Sequence, residues 1–155
     1  MQKNIPTLFS VSEVELIYRN KVKPADRIRI ASPEQAYNAF INAWDLNKID
    51  MVEQFYTLFV DRAQNCLGIS NMFTGGVSSC LVDMKVIFAT ALKMNASSIF
   101  VAHNHPSGNI VPSRADKALT EKIRDGGKLL DIVLLDHLIV TPFKYYSFAE
   151  SGLIL

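Results

Sequence analysis

Several things are scarce in this sequence, and each scarcity removes a class of protein. Only two cysteines occur, Cys66 and Cys80, outside any CxxC or Cys/His spacing. A cysteine zinc finger and a disulfide-built scaffold are therefore excluded. One disulfide between the two is compatible with the sequence, but a chain of this size does not need it, and two buried thiols in a reducing cytoplasm are expected. No stretch approaches the ~18 apolar residues of a membrane span. The opening MQKNIPTLFSVSEVEL lacks the apolar run of a secretion signal, so the expected location is cytoplasmic, with no membrane partner. Charge of one sign is missing too. The formal net charge is +1, which gives no global field for nucleic acid or anionic lipid.

What is present is ordinary globular material. Of the 155 residues 49% are apolar and 20% charged, enough to bury a core without staples. No repeat, low-complexity tract or dividing linker is found, so a single domain over residues 1–155 is expected, with 1–31 as an N-terminal extension. That extension carries a basic cluster: Arg19, Lys21, Lys23, Arg27 and Arg29. A solvated edge strand guarded by lysines and a phosphate-contacting patch both explain it.

Residues 11–20 alternate loosely and predict a first strand. At Ser32-Pro33-Glu34-Gln35 a serine N-cap, proline at the first helical position and glutamine three residues on predict a helix start. Ala36, Tyr37, Phe40, Ile41 and Trp44 then recur at helical spacing, carrying that helix to about Asp45. Residues 53–60 and 66–73 predict a hairpin around the polar turn 61–65. A strongly apolar and therefore largely buried helix is expected over 82–94. Ser98–Ala102 reads as a strand covered on both faces. Ser113 opens a third helix expected to end at Gly126-Gly127, and strands follow over 129–141 and about 145–148. Strands interleaved with three helices predict an α/β fold, an α-β-α layered sandwich, and the hairpin makes its sheet mixed.

The chemistry is concentrated in HNHPSGNIVPSRAD, residues 103–116. Residues i and i+2 of an extended chain share a side, so His103 and His105 can reach one ion. Asp116 falls in the first turn of the next helix, where the helix dipole favours a carboxylate. Two imidazoles and one carboxylate suit zinc and leave a fourth position for water. A hydrolase also needs a base, and Glu53, in the apolar setting MVEQFYTLFV, is the candidate. Ser113 is a candidate donor to a developing oxyanion. Each has a plainer reading: Ser113 and Asp116 as a helix cap, Glu53 as a surface residue at a strand start. His137 reads as a packed core histidine, and Asp136 as a residue that could orient a metal-bound imidazole.

His-x-His, seven residues, Ser, two residues and Asp is similar to the JAMM motif of the MPN+ (JAB) metalloprotease superfamily. The surrounding letters, with LLDHLIV and YYSFAESG downstream, resemble the C-terminal domain of RadC-type bacterial proteins from about residue 32 onward. The resemblance implies a zinc-binding sandwich akin to cytidine deaminases, a general acid/base at Glu53, and cleavage of peptide or isopeptide bonds. It also implies a link to DNA repair. Many RadC-type proteins carry a helix-hairpin-helix module before this domain, and residues 1–31 show no such pair of helices. A DNA repair or recombination accessory role would then need the 19–29 cluster or a separate partner. A zinc deaminase would need a PCxxC segment, which the sequence lacks.

Overall fold

The structure, a computed structural model, describes residues 15, 17 and 19–154. Helix α1 (Pro33–Ala43) opens where the sequence signals coincide. The Ser32 hydroxyl accepts from the Gln35 amide at 3.2 Å, and Gln35 Oε1 accepts from the Ala31 amide at 2.7 Å. These bonds pair amides at the entry to the first turn, where intrahelical partners are missing. Ala36 and Phe40 are buried, and Trp44 caps the end.

Strands β1 (Gln54–Val60) and β2 (Cys66–Thr74) form the expected antiparallel hairpin. The Asp61 carboxylate closes it by accepting from the Ala63 and Asn65 amides. Helix α2 (Met84–Lys93) follows, and strand β3 (Ser98–Asn104) then pairs antiparallel to β1. Helix α3 (Arg114–Leu129) supplies the crossover that a parallel pair requires. It returns the chain as β4 (Val133–Val140), parallel to β3, and β5 (Tyr145–Ser147) adds an antiparallel edge. Among the described residues the sheet order is β2-β1-β3-β4-β5.

Strand alternation sorts the apolar side chains into two cores. Tyr56, Leu58 and Val60 join Phe100, Ala102, Leu138 and Val140 beneath α1. Phe55 and Phe59 point the other way, packing with Ile99, Val101 and Leu134 against Ile87 and Phe88 of α2 and Ile123 of α3. The fold is thus α/β, a three-layer sandwich around a mixed sheet. All seven residues of β1 are buried, the polar Gln54 and Thr57 included, which explains why its apolar residues do not alternate with exposed polar ones. Each large apolar side chain so buried contributes about 1.5–3 kcal/mol.

Several expectations change. The first strand over 11–20 lies mostly outside the described residues, and positions 15, 17, 19 and 20 are not in a strand. The backbone that does pair comes later: Ile30 donates to Gln64 O, Cys66 donates to Ile28 O, and Arg29 bridges Asn65. Helix α2 is not largely buried. Its core stripe is Ile87, Phe88 and Ala91, while Leu92 is 52% exposed, because one helix face covers the sheet whatever the other carries. Both cysteines are free and only half-buried. Among the described residues no helix is long and apolar enough to cross a membrane.

Helix α3 does not stop at Gly126-Gly127 but runs on to Leu129. The glycines serve close approach instead. A Cβ on Gly127 would lie 2.2 Å from the Ile132 carbonyl oxygen, and one on Gly126 2.9 Å from the Phe88 ring. In an open helix Gly→Ala stabilises by about 1 kcal/mol. Gly127→Ala is expected to do the reverse, lowering unfolding stability by about 1–3 kcal/mol through overpacking. A urea midpoint that rises in this variant contradicts the account.

Candidate metal centre

The end of β3 places the two histidines. His103 still belongs to the strand and faces the α2–α3 side, 6% exposed; His105 lies one residue beyond the strand end. The chain then turns back, with Gly108 donating to His105 O from a positive φ of 72°, a conformation open to glycine. Ser113 and Asp116 form a reciprocal capping box at the start of α3. The Ser113 amide and hydroxyl both donate to Asp116 Oδ2 at 2.7 Å, and the Asp116 amide donates to Ser113 Oγ at 3.1 Å. This brings the Asp116 carboxylate onto the histidines: Oδ1 lies 3.2 Å from His103 Nε2, and Oδ2 lies 3.5 Å from His105 Nε2. The two Nε2 atoms are 3.1 Å apart.

Hydrogen-bond accounting shows what these atoms carry. Thr120 Oγ1 is 2.6 Å from the Asp116 carbonyl oxygen, which can only accept, so the hydroxyl proton points there. His137 Nδ1, 2.6 Å from the same Oγ1, meets only lone pairs and must be the donor. His137 is wholly buried against the Phe148 and Phe55 rings, and neither of its nitrogens meets a carboxylate that would pair a charge. A charged imidazole is costly in such surroundings, so His137 is taken as neutral, and its bare Nε2 accepts from His103 Nδ1–H at 2.8 Å. His105 Nδ1 donates to the Asn109 carbonyl at 2.7 Å. Both Nε2 atoms are thus left as lone pairs facing each other and a carboxylate. Three acceptors this close repel unless a cation lies among them. His103, His105 and Asp116 could hold that cation as a metal ion.

Without an ion a proton is the alternative occupant, and the pKa directions describe that competitor. Burial would raise Asp116, but the hydrogen bonds that Nε2–H groups of His103 and His105 would give it override burial and hold the carboxyl well below the usual range. His105 is raised, chiefly by its hydrogen bond to Asp116 and against desolvation.

Glu53 sits just before β1, its amide and carbonyl paired with Gly76 and Gly75. Phe55 opposes His103 in the antiparallel register, so continuing that register by two residues sets Glu53 across from His105. Its charge is felt there, adding to the rise of His105 and, behind burial, to that of the Cys80 thiol. The approach to Glu53 is fixed by Asn104, whose amide donates to Ile49 O and Val52 O and accepts from the Gln54 amide. Asp136 does not orient an imidazole. Neighbouring strand residues point to opposite faces, and Asp136 lies on the α1 side, accepting from Ser147 Oγ and the Ala149 amide. The residues that the motif spacing does not reveal are Asn104, Thr120 and His137. Only Thr120, four residues after Asp116 on one helix, leaves a local trace.

The profile of the RadC-like JAB domain family matches residues 30–153. The chain belongs to this family. Among curated relatives, this RadC-like JAB domain is 40% identical over 101 residues to a UPF0758 protein of Flavobacterium johnsoniae, covering 65% of the chain and 44% of that protein. It is 39% identical over 102 residues to the UPF0758 protein YfjY of Escherichia coli, covering 66% and 64%. A UPF0758 protein of Staphylococcus carnosus is 33% identical over 127 residues, covering 81% and 54%. The chain spans less than two thirds of the length of each.

One divalent ion per chain is expected after purification without chelator, read by elemental analysis. Full stoichiometry surviving in the double variant His103→Ala, His105→Ala removes the centre. Affinity should weaken as pH falls from about 8 to about 6, because proton and ion compete for the His105 lone pair. That competition begins early, since the pKa of His105 is raised above 6.5. An affinity flat over this range, measured by chelator competition, means that His105 is not a ligand.

Proposed function

We propose that this RadC-like JAB domain is a zinc-dependent hydrolase of peptide or isopeptide bonds, a metalloprotease of the JAMM type. The observation that carries the reading is the cluster of ligand atoms: the two Nε2 atoms 3.1 Å apart, Asp116 Oδ1 3.2 Å from His103 Nε2 and Asp116 Oδ2 3.5 Å from His105 Nε2. A tetrahedral zinc with bonds of ~2.0–2.1 Å separates its ligand atoms by ~3.3–3.4 Å, and one ligand atom from each of His103, His105 and Asp116 already lies within 4.8 Å of the other two. Calcium would ask for six or more oxygens, which this set does not offer. When bound here, zinc would supply Lewis acidity towards a carbonyl and lower the pKa of a water towards ~7.

The remaining work falls to the chain's own residues. Glu53 takes the proton from the attacking water and returns it to the leaving amine. Ser113, its hydroxyl turned from Asp116, donates to the developing oxyanion. His105 and Asp116 keep side-chain exposures of 17% and 14% against 7% for His103, which leaves one flank of the centre open to substrate. Two unpaired thiols favour a reducing compartment, the cytoplasm. A second reading, an accessory role in DNA repair or recombination, draws on the exposed Arg19, Lys21, Lys23 and Arg29; Arg27 is instead tied to Asp61 at 3.7 Å. It requires duplex binding whose salt slope shrinks when those four are replaced.

A panel of peptide, isopeptide and nucleic-acid substrates offered to zinc-loaded protein tests the assignment. On any substrate found, Glu53→Gln should keep the metal and lower the rate ~10²–10⁴-fold. Ser113→Ala should cost ~10–10³-fold, since a donor and a helix cap are lost together. A Glu53→Gln variant with undiminished turnover rules Glu53 out as the base.

A further inference from the structure

A buried chain of hydrogen bonds starts and ends on the candidate metal centre, and neither residue in its middle belongs to the group that could hold the ion. His137 is stacked on Phe148, centroids 4.6 Å apart at 13°, with the Phe55 ring 5.9 Å away edge-on. Thr120 is 2% exposed. An imidazole buried among phenyl rings is costly unless both nitrogens are matched. Here both are, by Thr120 and by His103.

We propose that Thr120 and His137 are positioning residues that hold the His103 proton on Nδ1 and so present its Nε2 lone pair to the metal ion. The inference rests on the proposed zinc centre and extends it into the core. The direction of the chain is decided at one end, by an atom that cannot donate. The Asp116 carbonyl takes the Thr120 proton, Thr120 Oγ1 takes that of His137, and His137 Nε2 takes that of His103. Reversing any link would set two lone pairs 2.6–2.8 Å apart at a neighbouring one. Partners of metal-binding imidazoles are often carboxylates, which add negative charge. This chain ends on a neutral carbonyl, so it orients His103 and leaves Asp116 as the one anion of the three ligands. Asp116 acts at both ends, its carboxylate on the ion and its carbonyl on the relay. The seating of α3 and the tautomer of a β3 histidine are thereby coupled.

Thr120→Val keeps the side-chain shape and removes the hydroxyl, leaving His137 Nδ1–H opposite a methyl group. Zinc affinity of the intact chain, measured by competition with a chromophoric chelator, should fall ~10–100-fold in Thr120→Val, while Thr120→Ser stays within ~3-fold of wild type. Nitrogen-15 spectra of the histidine side chains in metal-free protein give a second readout that a general packing defect would not move. In wild type the His103 proton should sit on Nδ1, and in Thr120→Val it should be shared between the nitrogens. Wild-type affinity in a folded Thr120→Val overturns the relay, even if zinc binds. So does a wild-type spectrum with the proton on Nε2, a result that stands whether or not the variant folds. Wild-type protein that takes up no zinc, yet shows the expected spectrum, overturns the hydrolase centre and with it the relay's service to a metal.

Discussion

Two imidazole lone pairs and a carboxylate held within 3.1–3.5 Å of one another are mutually repulsive, and much of the surrounding structure exists to keep them there. Isolated, such a cluster would open or protonate. It stays closed because each ligand is held from behind: His103 by His137, His105 by the Asn109 carbonyl, and Asp116 by the Ser113 cap. For the two histidines the supporting bond uses the proton on Nδ1 and leaves Nε2 bare, and for Asp116 the Ser113 amide and hydroxyl donate to Oδ2 and fix the carboxylate. Pre-organisation here consists mainly in placing protons, with distances following from it.

The sheet supplies the rigidity this arrangement needs. Strand β3 lies between β1 and β4, and one of its faces packs under α1 while the other receives α2 and α3. His103 and Asn104 are adjacent on that strand and serve opposite faces. One reaches the metal centre; the other, from the α1 side, clamps the loop that leads to Glu53. A buried amide with three bonds satisfied is a strong constraint, since losing any one leaves a desolvated polar group. The ligand set and the candidate base are thus registered to each other through a single dipeptide.

Membership of the RadC-like JAB family sets the scaffold and the pattern of donors, while the reaction belongs to the site. In this chain the site has a sealed side, formed by His103, His137, Phe55 and Phe148, and an open side at His105 and Asp116. Among the described residues the second is the side that a substrate of the proposed reaction would meet. The basic N-terminal residues pair with the start of β2 through Ile28–Ile30, which leaves Arg29 in a bridge and Arg27 in an ion pair.

The ligand letters, their spacing, the two helix caps, the hairpin and the layered α/β class were legible in the sequence because they rest on local rules. An i,i+2 pair on a strand, a serine three residues before an acid, and an apolar run between turn formers act within a few residues. Gly126-Gly127 misled for the complementary reason. A helix-stop signal is local, but a carbonyl from Ile132 folded against Gly127 is not. Asp136 misled because strand parity across a bulge, between Ile99 and Phe100 in the register of β3 with β4, cannot be counted without the partner strand. The sequence alone determined which atoms could bind an ion. Only the tertiary structure decided which of those atoms carry protons, because the bonds that place them join β3, α3 and β4, residues as far apart as His103 and His137.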